Sequence, residues 1–282
     1  MDIRPLTTLT QLLPLEALQK AAWGMSDLEV LPAHHFHALV HNGNSVLGAF
    51  MNGRLVGFVF SVLGWDAAAH TFKLYSVLMG VHPDYRDRSV GYHLKLAQRQ
   101  FGLSIGVPLI TWTFDPLQSR NARLNIAKLG AVCSTYHRHF HGELDGINAG
   151  IPSDRFEVVW RLQSPHVTRT LAMPNRRPTL ARALQDGAVL LNGASRDENG
   201  RLLPTDPPKI PPASSLLVEI PADHSAIKQT DPELALKWRL HTRQLFEQLF
   251  EQGYVVTDFI YDQTAVYPRS FYLLSTSDKV TT

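Results

Sequence analysis

Residues 74–97, LYSVLMGVHPDYRDRSVGYHLKLA, constrain the fold of this 282-residue chain more than any other part. An apolar run reads as a strand, a short polar loop follows it, and apolar spacing of three to four residues then resumes as a helix. That order sets backbone N–H groups and the positive end of a helix beside a buried strand, which is how folds build an anion cradle. Arg86 and Arg88 flank the loop and suit a phosphate or pyrophosphate.

The surrounding elements give the cradle its setting. Apolar spacing predicts helices over 15–25, behind Pro14, and over 33–41, stopped by Asn42-Gly43. Strands over 45–51 and 54–63 are joined by Asn52-Gly53, a hairpin signal. A strand over 71–81, the loop, and a helix from about Val90 to 102 come next. A buried strand over 107–114 ends at Asp115-Pro116, a helix over 119–129 stops at Gly130, and two strands over 132–140 and 155–162 complete this part.

Arg86-Asp87-Arg88-Ser89-Val90-Gly91 resembles the Arg/Gln-x-x-Gly-x-Gly/Ala loop of the GNAT (GCN5-related N-acetyltransferase) superfamily, with Ser89 at its first glycine. The preceding run Gly80 to Tyr85 is similar to that family's junction after its fourth strand. The order α-α-β-β-β-α-β-α-β-β over 1–163 matches the family's order. A second segment, Ser119 to Gly130, resembles the family's Asn-x-x-Ala-x-x-x-Tyr-x-Lys-x-Gly run: Ala122, Lys128 and Gly130 fall in register, while Ser119 and Ile126 stand at the asparagine and tyrosine positions. The resemblance implies an α/β fold, a GNAT-like mixed sheet flanked by helices. It implies that Met79, Gly80, Val81, Arg86, Asp87, Arg88, Ser89, Val90 and Gly91 bind acetyl-CoA, the acyl donor, with an oxyanion donor among the backbone N–H groups of residues 78–81. It further implies acyl transfer to an amine of a small molecule or peptide by direct attack. The family tyrosine protonates the departing thiolate, which Ile126 cannot do, so a non-catalytic acyl-CoA-binding protein is the alternative.

Beyond 163 the chain outruns the family. Residues 164–212, rich in Pro, Gly, Arg and Asp, read as a linker carrying one helix near 179–185 and a short strand at 188–191. Residues 213–282 read as a β-α-β-β lobe: a strand over 215–220, a helix opened by Asp231-Pro232 and running to 252, and strands over 254–261 and 270–274. Two readings of this lobe stay open. One is a degenerate repeat of the second GNAT half, read as placing 216–220 beside 254–261; the other is an unrelated extension. The repeat adds an aminoacyl-transfer enzyme with tandem lobes to the functional alternatives.

For acid–base work, Asp115 ends the fifth family strand and suits a base or an anchor for an ammonium group, or simply starts a turn. Tyr75 on the fourth strand and Tyr136 after the second segment are candidate proton donors. Cys133, the single cysteine, reads as a core residue and fits a reducing cytosol. His137, His139 and His141 alternate and would share a face of one strand, and a bound metal is not expected. A net charge of +2 without a basic block argues against nucleic acid, and no long apolar run or leader is read, so a cytoplasmic protein without a membrane span is expected.

Overall fold

The computed structural model describes residues 1–142, 150–174, 178–198, 201–205, 209–263 and 266–276. The described residues divide into two compact units, 1–112 and those from 113 onward.

The first unit opens with β1 (Asp2–Pro5), α1 (Leu9–Leu12), α2 (Pro14–Trp23) and α3 (Ala33–His41). Thr8 and Gln11 form a reciprocal capping box for α1, and Pro14 starts α2, which ends at Gly24 in the left-handed region (φ 71°). β2 (Ser45–Met51) and β3 (Arg54–Asp66) form a hairpin whose two turn residues, Asn52 and Gly53, hold φ of 50° and 76°. β4 (Thr71–Val81), a 3₁₀ turn (Pro83–Tyr85), α4 (Val90–Ser104) and β5 (Leu109–Phe114) follow, β5 carrying the chain on into the second unit. Sheet order in this unit is β1-β2-β3-β4-β5, antiparallel except for the parallel β4–β5 pair. Two apolar clusters cover its faces. Leu12, Leu15, Leu18 and Phe36 pack on Val46, Phe58 and Phe60, while Val90 and Leu94 of α4 pack on Leu47, Ala49, Val56 and Val59.

Two features of β4 shape the candidate site. Ser61 pairs with Ser76 and Phe60 with Leu78, so Val77 is a bulge residue without a partner on β3. On its other side β4 pairs with β5 only at Leu74–Ile110 and Tyr75–Thr111, leaving residues 76–81 beyond that pairing.

The second unit contains α5 (Ser119–Ala122), which continues as a π-helical turn (Arg123–Lys128), then β6 (Val132–His137) and β7 (Arg155–Arg161). α6 (Pro165–Ala172), α7 (Leu180–Gln185), β8 (Val189–Leu190), β9 (Ser195–Arg196) and β10 (Leu202–Leu203) lead to β11 (Ser215–Ile220), α8 (His224–Thr230), α9 (Pro232–Glu251), β12 (Tyr254–Asp262) and β13 (Arg269–Thr276). Its sheet runs β7-β6-β12-β13-β11-β8. Phe156 of β7 sits at the centre of its aromatic core, with ring centroids 4.7 Å from Phe246 and 5.4 Å from Tyr272.

Some expectations are corrected. β11 and β12 are not neighbours, because β13 lies between them and pairs with both; the last strand of the lobe enters between the first two. β6 ends at His137, so His139 and His141 lie outside the strand rather than alternating along it. The stretch read as a linker carries a further helix, α6, whose start is capped by Ser164, with Pro165 as its first residue.

Candidate functional site

The loop after β4 takes its shape from two residues in the left-handed region, Asp87 (φ 61°) and Ser89 (φ 59°). Backbone bonds from Tyr85 N to His82 O (2.9 Å) and from Arg86 N to Pro83 O (3.1 Å) close the turn before them. Ser89 is the N-cap of α4, and its side chain makes no capping bond. The first bond of α4 runs from His93 N to Ser89 O, so the helix itself does not use the N–H groups of Val90 and Gly91. Val90 is 2% exposed and anchored in the apolar cluster on the sheet, which fixes the first turn in place.

The two arginines do different work. Arg86 donates from Nη2 to Ala22 O at 2.6 Å, near the carboxyl end of α2, where a cation is favoured. Arg88 remains exposed, its guanidinium 5.3 Å from the Tyr85 ring centroid. On β4, Met79 and Val81 lean on the cluster beneath α4. A side chain on Gly80 would meet Trp23 at 2.9 Å and Phe58 at 3.0 Å, so packing against α2 demands glycine there. Tyr75 is half-buried, opposite Val62 and beside Thr111.

Next to the bulge lies a residue that sequence reading missed. Lys95 of α4 is 1% exposed, yet no carboxylate pairs with it among the described residues. Its Nζ donates to Ser76 Oγ (2.8 Å) and Gln98 Oε1 (3.0 Å) and sits 3.6 Å from the centroid of the Trp112 ring. Burial pushes its amine well below the ordinary lysine range.

The second unit has its own buried polar centre. Asp115 accepts from Arg239 Nη2 at 2.7 Å on both oxygens and from Leu117 N at 2.9 Å. Burial alone would raise this carboxyl, but the charge and hydrogen bonds of Arg239, with the Leu117 N–H, hold it below its ordinary range. Asp154, fully buried, accepts from Arg243 (2.7 and 2.9 Å), from Tyr136 Oη (2.7 Å) and from His139 N (3.1 Å). Burial pushes the Tyr136 phenol up, so it keeps its proton at neutral pH. Asp115 and Tyr136 therefore belong to one charged cluster tied to α9, with Arg239 and Arg243 among its cations. His137 Nε2 lies 2.8 Å from Glu157 Oε2, and no group able to hold a metal ion occurs among the described residues. No helix there is long and apolar enough to cross a membrane.

Ile126 is 1% exposed within the π-helical turn. Cys133 is fully buried, and burial pushes its thiol well above the ordinary range.

The first unit is a mixed sheet with helices on its faces. No family model matches the sequence, and no curated protein matches it. Among solved structures the chain is similar to an N-acetyltransferase from Staphylococcus aureus Mu50, with 13% identity and a TM-score of 0.49 over 57% of this chain and 98% of that one. An acetyltransferase of the GNAT family from Streptococcus pneumoniae gives 16% identity and a TM-score of 0.44 over 56% and 96%. The NatC complex bound to Gag peptide and CoA gives 14% and 0.44 over 57% and 99%.

Proposed function

We propose that this GNAT-like chain is an acyl-CoA-dependent N-acyltransferase that moves an acetyl group from acetyl-CoA to an amine. One observation carries the reading: Ser89, in place of a glycine, takes up the left-handed backbone at the N-cap of α4, directly after a bulged β4 whose last residues lie beyond β5. A non-glycine residue in that conformation is uncommon and clusters at sites that require it. The donors fit a pyrophosphate. In our assignment the first-turn N–H groups of Val90 and Gly91 and the backbone of Asp87 and Ser89 hold it, with Arg88 adding charge and Arg86 pinning the loop to α2. Met79, Gly80 and Val81 line the approach along β4, where a backbone N–H is the oxyanion donor.

Acyl transfer to an amine requires that the attacking nitrogen be neutral and that the departing thiolate gain a proton. We assign Tyr136 and Tyr75 as candidate proton donors. Asp115, held ionised by Arg239 on both oxygens, is a weak base.

A second reading is a protein that binds acyl-CoA without turning it over. Ile126 favours it, since a buried aliphatic side chain occupies the position where the family carries a tyrosine. Thermal shift with acetyl-CoA, followed by measurement of thiol release over a panel of amines, separates the two. The transferase reading expects stabilisation and amine-dependent thiol release. Stabilisation without release supports the binding protein, and no stabilisation overturns both.

A further inference from the structure

Three guanidinium groups share the buried centre of the second unit with two carboxylates. Arg243 is committed to Asp154 through two bonds, and Arg239 to Asp115 through one nitrogen on both oxygens. Arg155, at the start of β7, is the third. It lies close enough to Asp115, Asp154 and Arg239 to feel all three charges. Among the described residues its one hydrogen bond runs from Nη1 to its neighbour's backbone oxygen, Asp154 O, at 2.9 Å. No carboxylate pairs with it among the described residues, which leaves Nε and Nη2, the side-on edge of the fork, for a further acceptor. Nε and Nη1 of the 1% exposed Arg239, in the same cluster, are buried without a hydrogen-bond partner among the described residues.

Such an arrangement is costly as it stands. Buried guanidinium nitrogens without partners are rare, and a surplus positive charge beside them, only partly reached by water, favours a counter-charge. Burial already depresses Arg155 below its ordinary value, and burial first, with the charge of the same guanidinium, lowers His141. Arg155 itself is neither fully buried nor exposed.

We infer that Arg155, backed by the unpaired nitrogens of Arg239, is a binding site for the carboxylate of a small organic molecule. One surplus charge matches a monoanion, and a planar carboxylate matches the side-on fork. This inference stands apart from the acyltransferase reading and does not need it.

Propionate and propionamide, which share shape but not charge, are titrated into the full chain while arginine Nε–H resonances are followed by NMR. Propionate is expected to move one resonance saturably in the millimolar range, and that resonance is absent from Arg155→Gln. Propionamide moves nothing. Arg155→Lys, which keeps the charge without the fork, binds about tenfold more weakly and serves if the glutamine variant fails to fold. The site is overturned if propionamide acts like propionate, if no resonance saturates, or if the variants bind propionate as the parent does. Tighter saturation by inorganic phosphate than by propionate overturns the carboxylate assignment.

Discussion

Ser89 carries the local strain of the candidate cofactor loop. A left-handed residue with a Cβ costs on the order of 1–2 kcal/mol, and a β-branched one is worse still. Ser89→Gly is therefore expected to keep or raise thermal stability and to retain the acetyl-CoA shift, whereas Ser89→Val loses the shift; a valine variant that still responds would free the loop of this backbone requirement. Lys95 makes a prediction about pH. Its folded amine releases its proton at lower pH than the unfolded one, which titrates near about 10.4. Between those values the unfolded chain holds the extra proton, so stability rises with pH by up to about 1.4 kcal/mol per unit and levels off above the unfolded value. In urea titrations approaching pH 10, Lys95→Met is expected to lack that gain. Neither Lys95 nor Arg239 was legible in the sequence. A charged residue on a helix reads as a solvated face, and the aspartates that hold Arg239 and Arg243 lie 124 and 89 residues away.

At the scale of elements, local signals explain most of what could be read. β4, α3 and β11 keep the bounds their apolar patterns suggest, 71–81, 33–41 and 215–220. The caps behave unevenly. Asp231-Pro232 announces α9, and Ser164-Pro165 announces α6 by the same chemistry, but the proline- and arginine-rich stretch after α6 disguises it as linker. β1, four residues long and ending in proline, carries no strand pattern and is fixed by its pairing with β2. The helix after β5 loosens into a π turn, which no propensity announces. Restoring the tyrosine of the family pattern there, Ile126→Tyr, forces a larger ring into a filled core and is expected to cost about 1–3 kcal/mol in denaturant unfolding. The tie between β7 and α9 is stronger. Arg243→Met leaves Asp154 buried without its main cation and is expected to cost about 3–5 kcal/mol; a loss below about 1 kcal/mol would mean that Tyr136 and the His139 N–H suffice.

For the whole molecule, a boundary at residue 163 reads naturally from the change in composition, and it has a direct test. A fragment ending there removes Phe246, Phe250 and Tyr272 from around Phe156, removes Arg243 from Asp154, and takes β12 away from β6. Such a fragment is expected to give no cooperative thermal transition, and a well-folded, monomeric 1–163 would show the second lobe to be dispensable. The sequence could not show this dependence, because it arises from contacts between parts of the chain about a hundred residues apart. The buried Cys133 bears on how all such experiments are run. Coenzyme A set free by acyl transfer is counted with thiol-reactive dyes, and the chain's sole sulfhydryl is shut inside the core in a form reluctant to ionise. Folded protein therefore contributes almost no signal of its own, and a slow rise in dye colour without coenzyme A would itself report unfolding.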